Sequence, residues 1–389
     1  MVESFLVSAV RTPTGKRQGL LSEYHPVDLL GTVITEALRR ANVNPSDIGD
    51  VIGGCVSQVG EQAANVTRNA WLAAGLPAHV PGVTVDRQCG SSQQAVAFAS
   101  QAIQAGATDV VVACGVEVMS RVPMGSPESI HGISRSPGLS VRFGDQLGHQ
   151  GLAAEAIAAQ WGISRAEMDE FAVRSHERAL RAAEMGVFRD EILPVELPDG
   201  SVMMSDQGPR HPDRDAIARL RPAFIENGRI TAANSSQISD GAAALVIASD
   251  SYVKRHDLRP IAQLVDSVVI GSDPVMMLTG PISATRKILD KHRLTLSDLS
   301  SWEVSEAFAS VVLAWTRELN VSEAEIDQKL NPYGGAIALG HPLGASGARI
   351  MTTLAHRLHR QGGGYGLQVM CEGGGMANAT LLRGLPGKG

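Results

Sequence analysis

The 389-residue chain is short of cysteine, of basic runs and of long apolar stretches, and each shortage removes a class of protein. Its only cysteines are Cys55, Cys89, Cys114 and Cys371. Their wide spacing predicts neither a disulfide framework nor a zinc-binding pair, so no metal is expected, and it suits a reducing cytosol. Arg, Asp, Gln or Gly-rich turns interrupt every apolar run before it reaches the length of a membrane span. Net charge is −6 without a long basic run, which argues against a nucleic-acid partner. No basic n-region precedes Phe5, so the first residues read as a strand instead of a signal peptide. Leu385-Pro386-Gly387-Lys388-Gly389 lacks the simple C-terminal peroxisomal address. A glycine fingerprint after the first strand and a P-loop lysine are both missing, which excludes the usual nucleotide-binding motifs.

What is present is an ordinary globular mixture, 44% hydrophobic and 19% charged. The length predicts two or three domains or one large duplicated fold. Phe5–Val10, Val51-Ile52 and Val83–Val85 read as buried strands. Val27, Leu30, Ile34, Ala37, Leu38 and Ala41 recur at helical spacing, and a second helix is expected around Asn65–Ala74. This alternation implies a mainly parallel sheet covered on both faces. The middle differs, with a Gly-, Ser-, Pro- and Arg-rich stretch from about 120 to 150 and another loop-like stretch from 206 to 234. Between them, Ser164 with Glu167 predicts a capped helix that stops at Gly186. Residues 120–239 therefore read as an insertion over the sheet, of the kind that forms lids and binding loops.

The order turn, helix, glycine, strand, cysteine, glycine occurs twice. Gly90-Ser91-Ser92 opens one copy, ending at Cys114-Gly115; Gly344-Ala345-Ser346-Gly347 opens the other, ending at Cys371 and a glycine run. The repeat divides the chain into residues 1–119, with 240–250 completing that sheet, the insertion 120–239, and residues 251–389.

Four segments carry chemistry. In Gln88-Cys89-Gly90-Ser91, a strand runs into a turn with Cys89 at its tip and a helix beyond. The partial positive charge of that helix end is expected to lower the thiol's pKa, although a free cysteine is more often a small buried hydrophobe. His341 lies between Gly340 and Pro342-Leu343-Gly344, and by the repeat it falls before its helix much as Cys89 does before its own. Cys371-Glu372-Gly373-Gly374-Gly375 follows an apolar strand; its glycines suit an oxyanion site or a plain turn. Ser305, in Ser305-Glu306-Ala307-Phe308, stands where an ordinary helix N-cap would.

Together with Arg11-Thr12-Pro13-Thr14-Gly15, Glu117-Val118-Met119-Ser120, Leu220-Arg221-Pro222-Ala223-Phe224 and Asp240-Gly241-Ala242-Ala243-Ala244, these segments resemble the thiolase family over essentially the whole chain. The resemblance implies an α/β thiolase fold, with two duplicated βαβαβαββ halves layered α-β-α-β-α and an inserted loop domain. It implies an acetyl-CoA C-acyltransferase that cleaves 3-oxoacyl-CoA with coenzyme A as co-substrate and without a permanently bound cofactor. The match to Cys89 is the nucleophile, that to His341 activates it, and that to Cys371 exchanges a proton with the acetyl-CoA enolate. The backbone N–H groups of Cys89 and Gly373 match one oxyanion hole. His341 and a water held at Ser305 match the other. His149, Gln150, Arg221, Phe224, Ala232, Ser236, Ala307 and Phe308 match contacts to CoA or the acyl chain. Acyl-CoA and CoA are the implied partners, in a cytoplasmic homodimer or homotetramer. Ser305 replaces the family's usual Asn, which bears on the efficiency of the reaction more than on its nature; Gln150 replaces a frequent Met, which points to an acyl chain other than a short plain one. The alternatives are an acetoacetyl-CoA thiolase, a condensing enzyme of ketoacyl-synthase type, against which the second thiol argues, and a thiolase-like lipid-binding protein.

Overall fold

A computed structural model of the protein describes residues 2–129, 136–144 and 146–387. Part of the loop expected near 120–150, namely residues 130–135 and 145, and the terminal Lys388-Gly389 lie outside the described residues.

The chain opens with β1 (Ser4–Arg11), α1 (Pro26–Ala41), β2 (Asp50–Gly54), α2 (Val66–Ala73), β3 (Gly82–Val85), α3 (Ser91–Gln104) and β4 (Val110–Val118). The predicted α1 forms because Leu29, Leu30, Val33, Ile34, Ala37, Leu38 and Ala41 bury one face. Pro26 presets its first turn, and Asn42 at φ 52° ends it in the left-handed region. Burying each of its leucines contributes about 1.5–3 kcal/mol.

Between the halves lie α4 (Gln150–Gln160) and α5 (Arg165–Glu184). The reciprocal Ser164–Glu167 capping box starts α5, and Gly186 at φ 68° follows its end, as the sequence predicts. The loop-like stretch 206–234 contains one short helix, Arg214–Ala218, and Pro137–Phe143 is another. The ends of this middle segment meet, since Ser120 donates to Asp240 through its amide (2.8 Å) and its hydroxyl (2.7 Å). Arg11 on β1 is buried and holds Glu191 and, in bidentate fashion, Asp206 of the same segment.

Strand β5 (Ser239–Ser249) completes the first half. Then follow β6 (Ala262–Gly271), α6 (Gly280–His292), β7 (Leu299–Val304), α7 (Ala309–Glu318), α8 (Ser346–Arg360), β8 (Gly364–Glu372) and β9 (Met376–Gly384). The strand order is β3-β2-β4-β5-β1-β6-β9-β8-β7. Outward from the β1/β6 seam, β1-β5-β4-β2 on one side repeats as β6-β9-β8-β7 on the other. The counterpart of β3 shrinks to a single parallel bridge between Trp302 and Leu330. The seam is three residue pairs long, Ser4 to Leu6 against Ala262 to Leu264.

The expected mainly parallel sheet is corrected. Among the described residues, the strand pairs β2/β3, β2/β4 and β7/β8 are parallel, whereas β1/β5, β4/β5, β1/β6, β6/β9 and β8/β9 are antiparallel. Each half ends in a strand that returns beside its predecessor, and in the second half a turn over Gly373–Gly375 makes that return a hairpin.

Helices α1 and α2 cover one outer face, and α6 and α7 the other. Helices α3 and α8 fill the middle, where Val96, Ala99, Met351 and Leu354 share a core with Leu6, Val111, Leu245 and Leu382 from both half-sheets. The result is the α-β-α-β-α layering. The middle helices touch backbone to backbone at Gly347, where a Cβ would overlap the Gln93 amide and lie 2.9 Å from Gln93 Cα. Gly347→Ala would gain about 1 kcal/mol of helix propensity, but overpacking against main chain costs about 3 kcal/mol. A net loss of about 2 kcal/mol is expected, seen as a lower urea midpoint with an unchanged slope.

Candidate active site

Cys89 sits where β3 gives way to α3. Gln88 takes φ 49°, a left-handed conformation that turns the chain sharply before the cysteine. The turn is fixed locally. The Gln88 amide donates to Asp86 Oδ1 (2.7 Å), the Arg87 amide to Ser91 Oγ (2.9 Å), and the Ser91 hydroxyl to Gln88 O (2.6 Å). Cys89 is 4% exposed and packs with Met119, Leu343, Ile350 and Met370.

The expected lowering of the Cys89 pKa is overturned. Burial pushes this thiol up, and the neighbouring Cys371 and Glu372 push it further. The helix end cannot compete, because the thiol is cut off from water and has two acidic groups beside it. Cys371, on the last turnward stretch of β8, is held up to about 12 by burial and then by Glu372. Both thiols are therefore protonated at neutral pH, and a base has to remove the proton.

His341 sits in a tightly held turn of its own. Its amide donates to Gln237 O (3.1 Å) and Ser239 Oγ (3.2 Å), and Gly340 at φ 91° brings the chain close to Ser239. Ser346 Oγ donates to Pro342 O (2.9 Å), so it accepts from His341 Nδ1 (2.6 Å). The proton is thereby placed on Nδ1, leaving the lone pair on Nε2, which is buried without a hydrogen-bond partner. Burial, with a smaller push from Arg349, depresses the imidazole to about 4, so it is neutral at pH 7. Two residues on, Leu343 packs in the same apolar group as Cys89, which joins the two turns as the sequence repeat anticipates.

The Ser305 reading needs correction as well. Helix α7 starts only at Ala309, with Phe308 as its N-cap, so Ser305 is not a cap at a helix start. It continues from β7, its amide donating to Val369 O (2.9 Å), and its hydroxyl is buried with no partner. Gly373 lies on the hairpin turn, whose Gly374 and Gly375 have φ 80° and 75°. The plain turn and the proposed oxyanion site are thus the same stretch of backbone.

Cys89, Gly373, His149 and Gln150 line one cleft of about 620 Å³, together with Met124, Met277 and Met376 among others. His149 caps α4, accepting from Gly151 N through Nδ1 (3.1 Å). Its ring lies 5.2 Å from Phe224, which meets Phe308 edge-on at 6.0 Å. Ser236 donates its amide to Ala307 O (3.0 Å), so these two also come together. Arg221 and Ala232 are exposed and are not in the lining of this cleft.

Sequence reasoning missed Ser346 as the partner of His341, and Glu117 altogether. The Glu117 carboxylate is buried and accepts from Val56 N, Ser57 N, Gly344 N and Gln62 Nε2 at 2.7–3.0 Å. The acid within Glu117-Val118-Met119-Ser120, at the end of an otherwise apolar strand, was the available signal. Among the described residues, no group of three or more His, Cys, Asp or Glu could hold a metal, and no helix is long and apolar enough to cross a membrane.

His341 also links stability to pH. Its folded pKa lies below its unfolded value of 6.5, so the unfolded chain binds more protons as pH falls from 6.5 toward 4. Wild type should therefore lose about 2 kcal/mol relative to His341→Gln between pH 7 and pH 5. Urea unfolding of both proteins at the two pH values measures this; an unchanged difference would rule out the buried neutral imidazole.

Known proteins with this architecture match the chain end to end. Residues 4–251 match the family described as Thiolase, N-terminal domain, and residues 258–384 match Thiolase, C-terminal domain. The steroid 3-ketoacyl-CoA thiolase FadA6 of Mycobacterium tuberculosis is 48% identical over 99% of this chain and 95% of its own length. A 3-ketoacyl-CoA thiolase of Cronobacter sakazakii is 41% identical over 98% and 99%. Among solved structures, the Bacillus anthracis acetyl-CoA acetyltransferase superposes with a TM-score of 0.90 at 38% identity, covering 99% of both chains. Human mitochondrial 3-ketoacyl-CoA thiolase superposes with the same TM-score at 36% identity, covering 98% of this chain and 99% of its own. A nucleophile-like turn and a base-like turn, one from each half of a duplicated sheet, accompany this agreement across both halves: the chain belongs to the thiolase family of acyltransferases.

Proposed function

We propose that this thiolase cleaves 3-oxoacyl-CoA with free CoA, releasing acetyl-CoA and a shortened acyl-CoA. The observation that carries the reading is the pairing of two buried, protonated thiols with a neutral imidazole whose Nε2 is free. His341 Nε2 takes the proton of Cys89, and Cys89 Sγ bonds to the 3-oxo carbon. The Cα–Cβ bond then breaks, leaving the acyl group on Cys89 and an enolate of acetyl-CoA, which Cys371 protonates. The CoA thiol gives its proton to the Cys371 thiolate and attacks the thioester; acyl-CoA leaves, and the departing Cys89 sulfur takes its proton back from His341. The N–H groups of Cys89 and Gly373 receive the oxyanion at the acyl carbon, and His341 with a water held by Ser305 receives the enolate oxygen. The Ser305 hydroxyl has no partner of its own, which fits a role in holding water.

CoA enters as co-substrate and no resident cofactor is required. His149, Phe224, Ser236, Ala307 and Phe308 contact its arm, with Ala232 nearby and Arg221 at the nucleotide end. Gln150 and the thioethers of Met124, Met277 and Met376 border the acyl chain. Such flexible side chains adapt to bulky shapes, and the relative at 48% identity is named for a steroid substrate. A ring-bearing or branched 3-oxoacyl chain is therefore the favoured substrate class. The functional units are residues 1–119 with 240–250, the insertion 120–239, and 251–389. Assembly as a homodimer or homotetramer in the cytoplasm completes the proposal; the edge strand β3, with exposed Val83, leaves backbone for such pairing.

Cys89→Ala is expected to abolish both thiolysis and the mass shift of acylation on the Cys89 peptide; near-normal turnover would end the assignment. Ser305→Asn is expected to change acetoacetyl-CoA turnover by less than about tenfold or to raise it. A loss of several orders of magnitude would show that the serine belongs to a specialised arrangement.

A further inference from the structure

One acid in the site is used by none of these steps. Glu372 follows Cys371 at the end of β8, is fully buried, and neither of its carboxyl oxygens has a hydrogen-bond partner. Buried carboxyls without partners are rare because an unpaired charge cut off from water is costly. The side chain is wedged over the nucleophile turn, where a Cβ on Gly90 would overlap Oε1 and lie 2.7 Å from Cδ. The titratable and charged groups facing it are Asp86 and Arg87 from the loop before α3, Cys89 on that turn, and Cys371 on its own strand. Arg87 is the one cation among them, yet its guanidinium reaches Met376 Sδ (3.6 Å) and makes no ion pair with Glu372.

Resting on the thiolase reading above, we propose that Glu372 is a positioning residue of the reaction, a buried acid whose charge state sets how readily Cys89 and Cys371 give up their protons. With the carboxyl neutral, the only negative charge created near the two thiols is the one the reaction itself makes. Once the carboxyl is charged, a like charge opposes ionisation of both sulfurs. Burial, reinforced by Asp86 and opposed by Arg87, pushes this carboxyl up to about 8, so it is neutral at pH 7 and charges in mild alkali. The linkage is reciprocal, and a thiolate at Cys89 holds the proton on Glu372.

The test is the rate of Cys89 alkylation by iodoacetamide from pH 6.5 to 9.5, read by mass of the Cys89 peptide, in the full-length wild type and Glu372→Gln. The probe needs no acyl-CoA, so the result stands apart from whether the chain cleaves 3-oxoacyl-CoA. The wild-type rate is expected to rise with pH and flatten above about 8. The Gln variant, neutral throughout, should keep rising and be at least threefold faster at pH 9. Arg87→Gln, which removes the cation that favours the charged carboxyl, should move the wild-type break to higher pH and serves if the first variant fails to fold. Superimposable profiles, a slower Gln variant at pH 9, or a break that Arg87→Gln leaves in place would overturn the proposal.

Discussion

One buried carboxylate holds the two halves of the site together. Glu117 stands at the end of β4 in the first half and binds three amides and a side-chain amide, with one of the amides, Gly344 N, belonging to the second half. Gly344 follows the His341 turn, and the Val56 and Ser57 amides border the cleft that Cys89 lines. Burial raises this acid's pKa, while its hydrogen bonds pull the other way. Removing the carboxylate would leave several donors unsatisfied in the interior, so the position of the His341 turn relative to the Cys89 turn depends on this one residue.

Four other titratable groups follow a related logic, in which burial keeps each of them neutral until a proton moves. Cys89, Cys371, His341 and Glu372 are all shifted toward their uncharged forms. Neutral groups tolerate dryness, and in a dry site each newly formed charge interacts strongly with the few dipoles aimed at it. The orphaned Ser305 hydroxyl and His341 Nε2 are unspent polar capacity in that sense.

Much of this was legible in residue patterns because it is local. The capping box at Ser164 and Glu167, the amphipathic face of α1 and the turn-then-helix at Cys89 depend on neighbours a few residues apart. The duplication was visible because both copies kept the same order of turn, helix and strand. What was not legible is what distant contacts decide. The Cys89 pKa is set by burial and by acids on β8, not by the helix beside it. Ser305 has no capping role because the helix begins only after Phe308, which is extended and bridged to Ser235. The antiparallel pairings arise from where each half's last strand is inserted, which no local propensity encodes.

The contact between Ser120 and Asp240 closes the base of the long middle segment like a clasp. The sheet strands on either side, β4 and β5, pair directly along their whole length. The scaffold is therefore continuous beneath the segment, and outside the clasp and the Arg11 pairs with Glu191 and Asp206 the segment's length is free of the sheet's register. A protein built this way separates the inheritance of its reaction from the inheritance of its appetite.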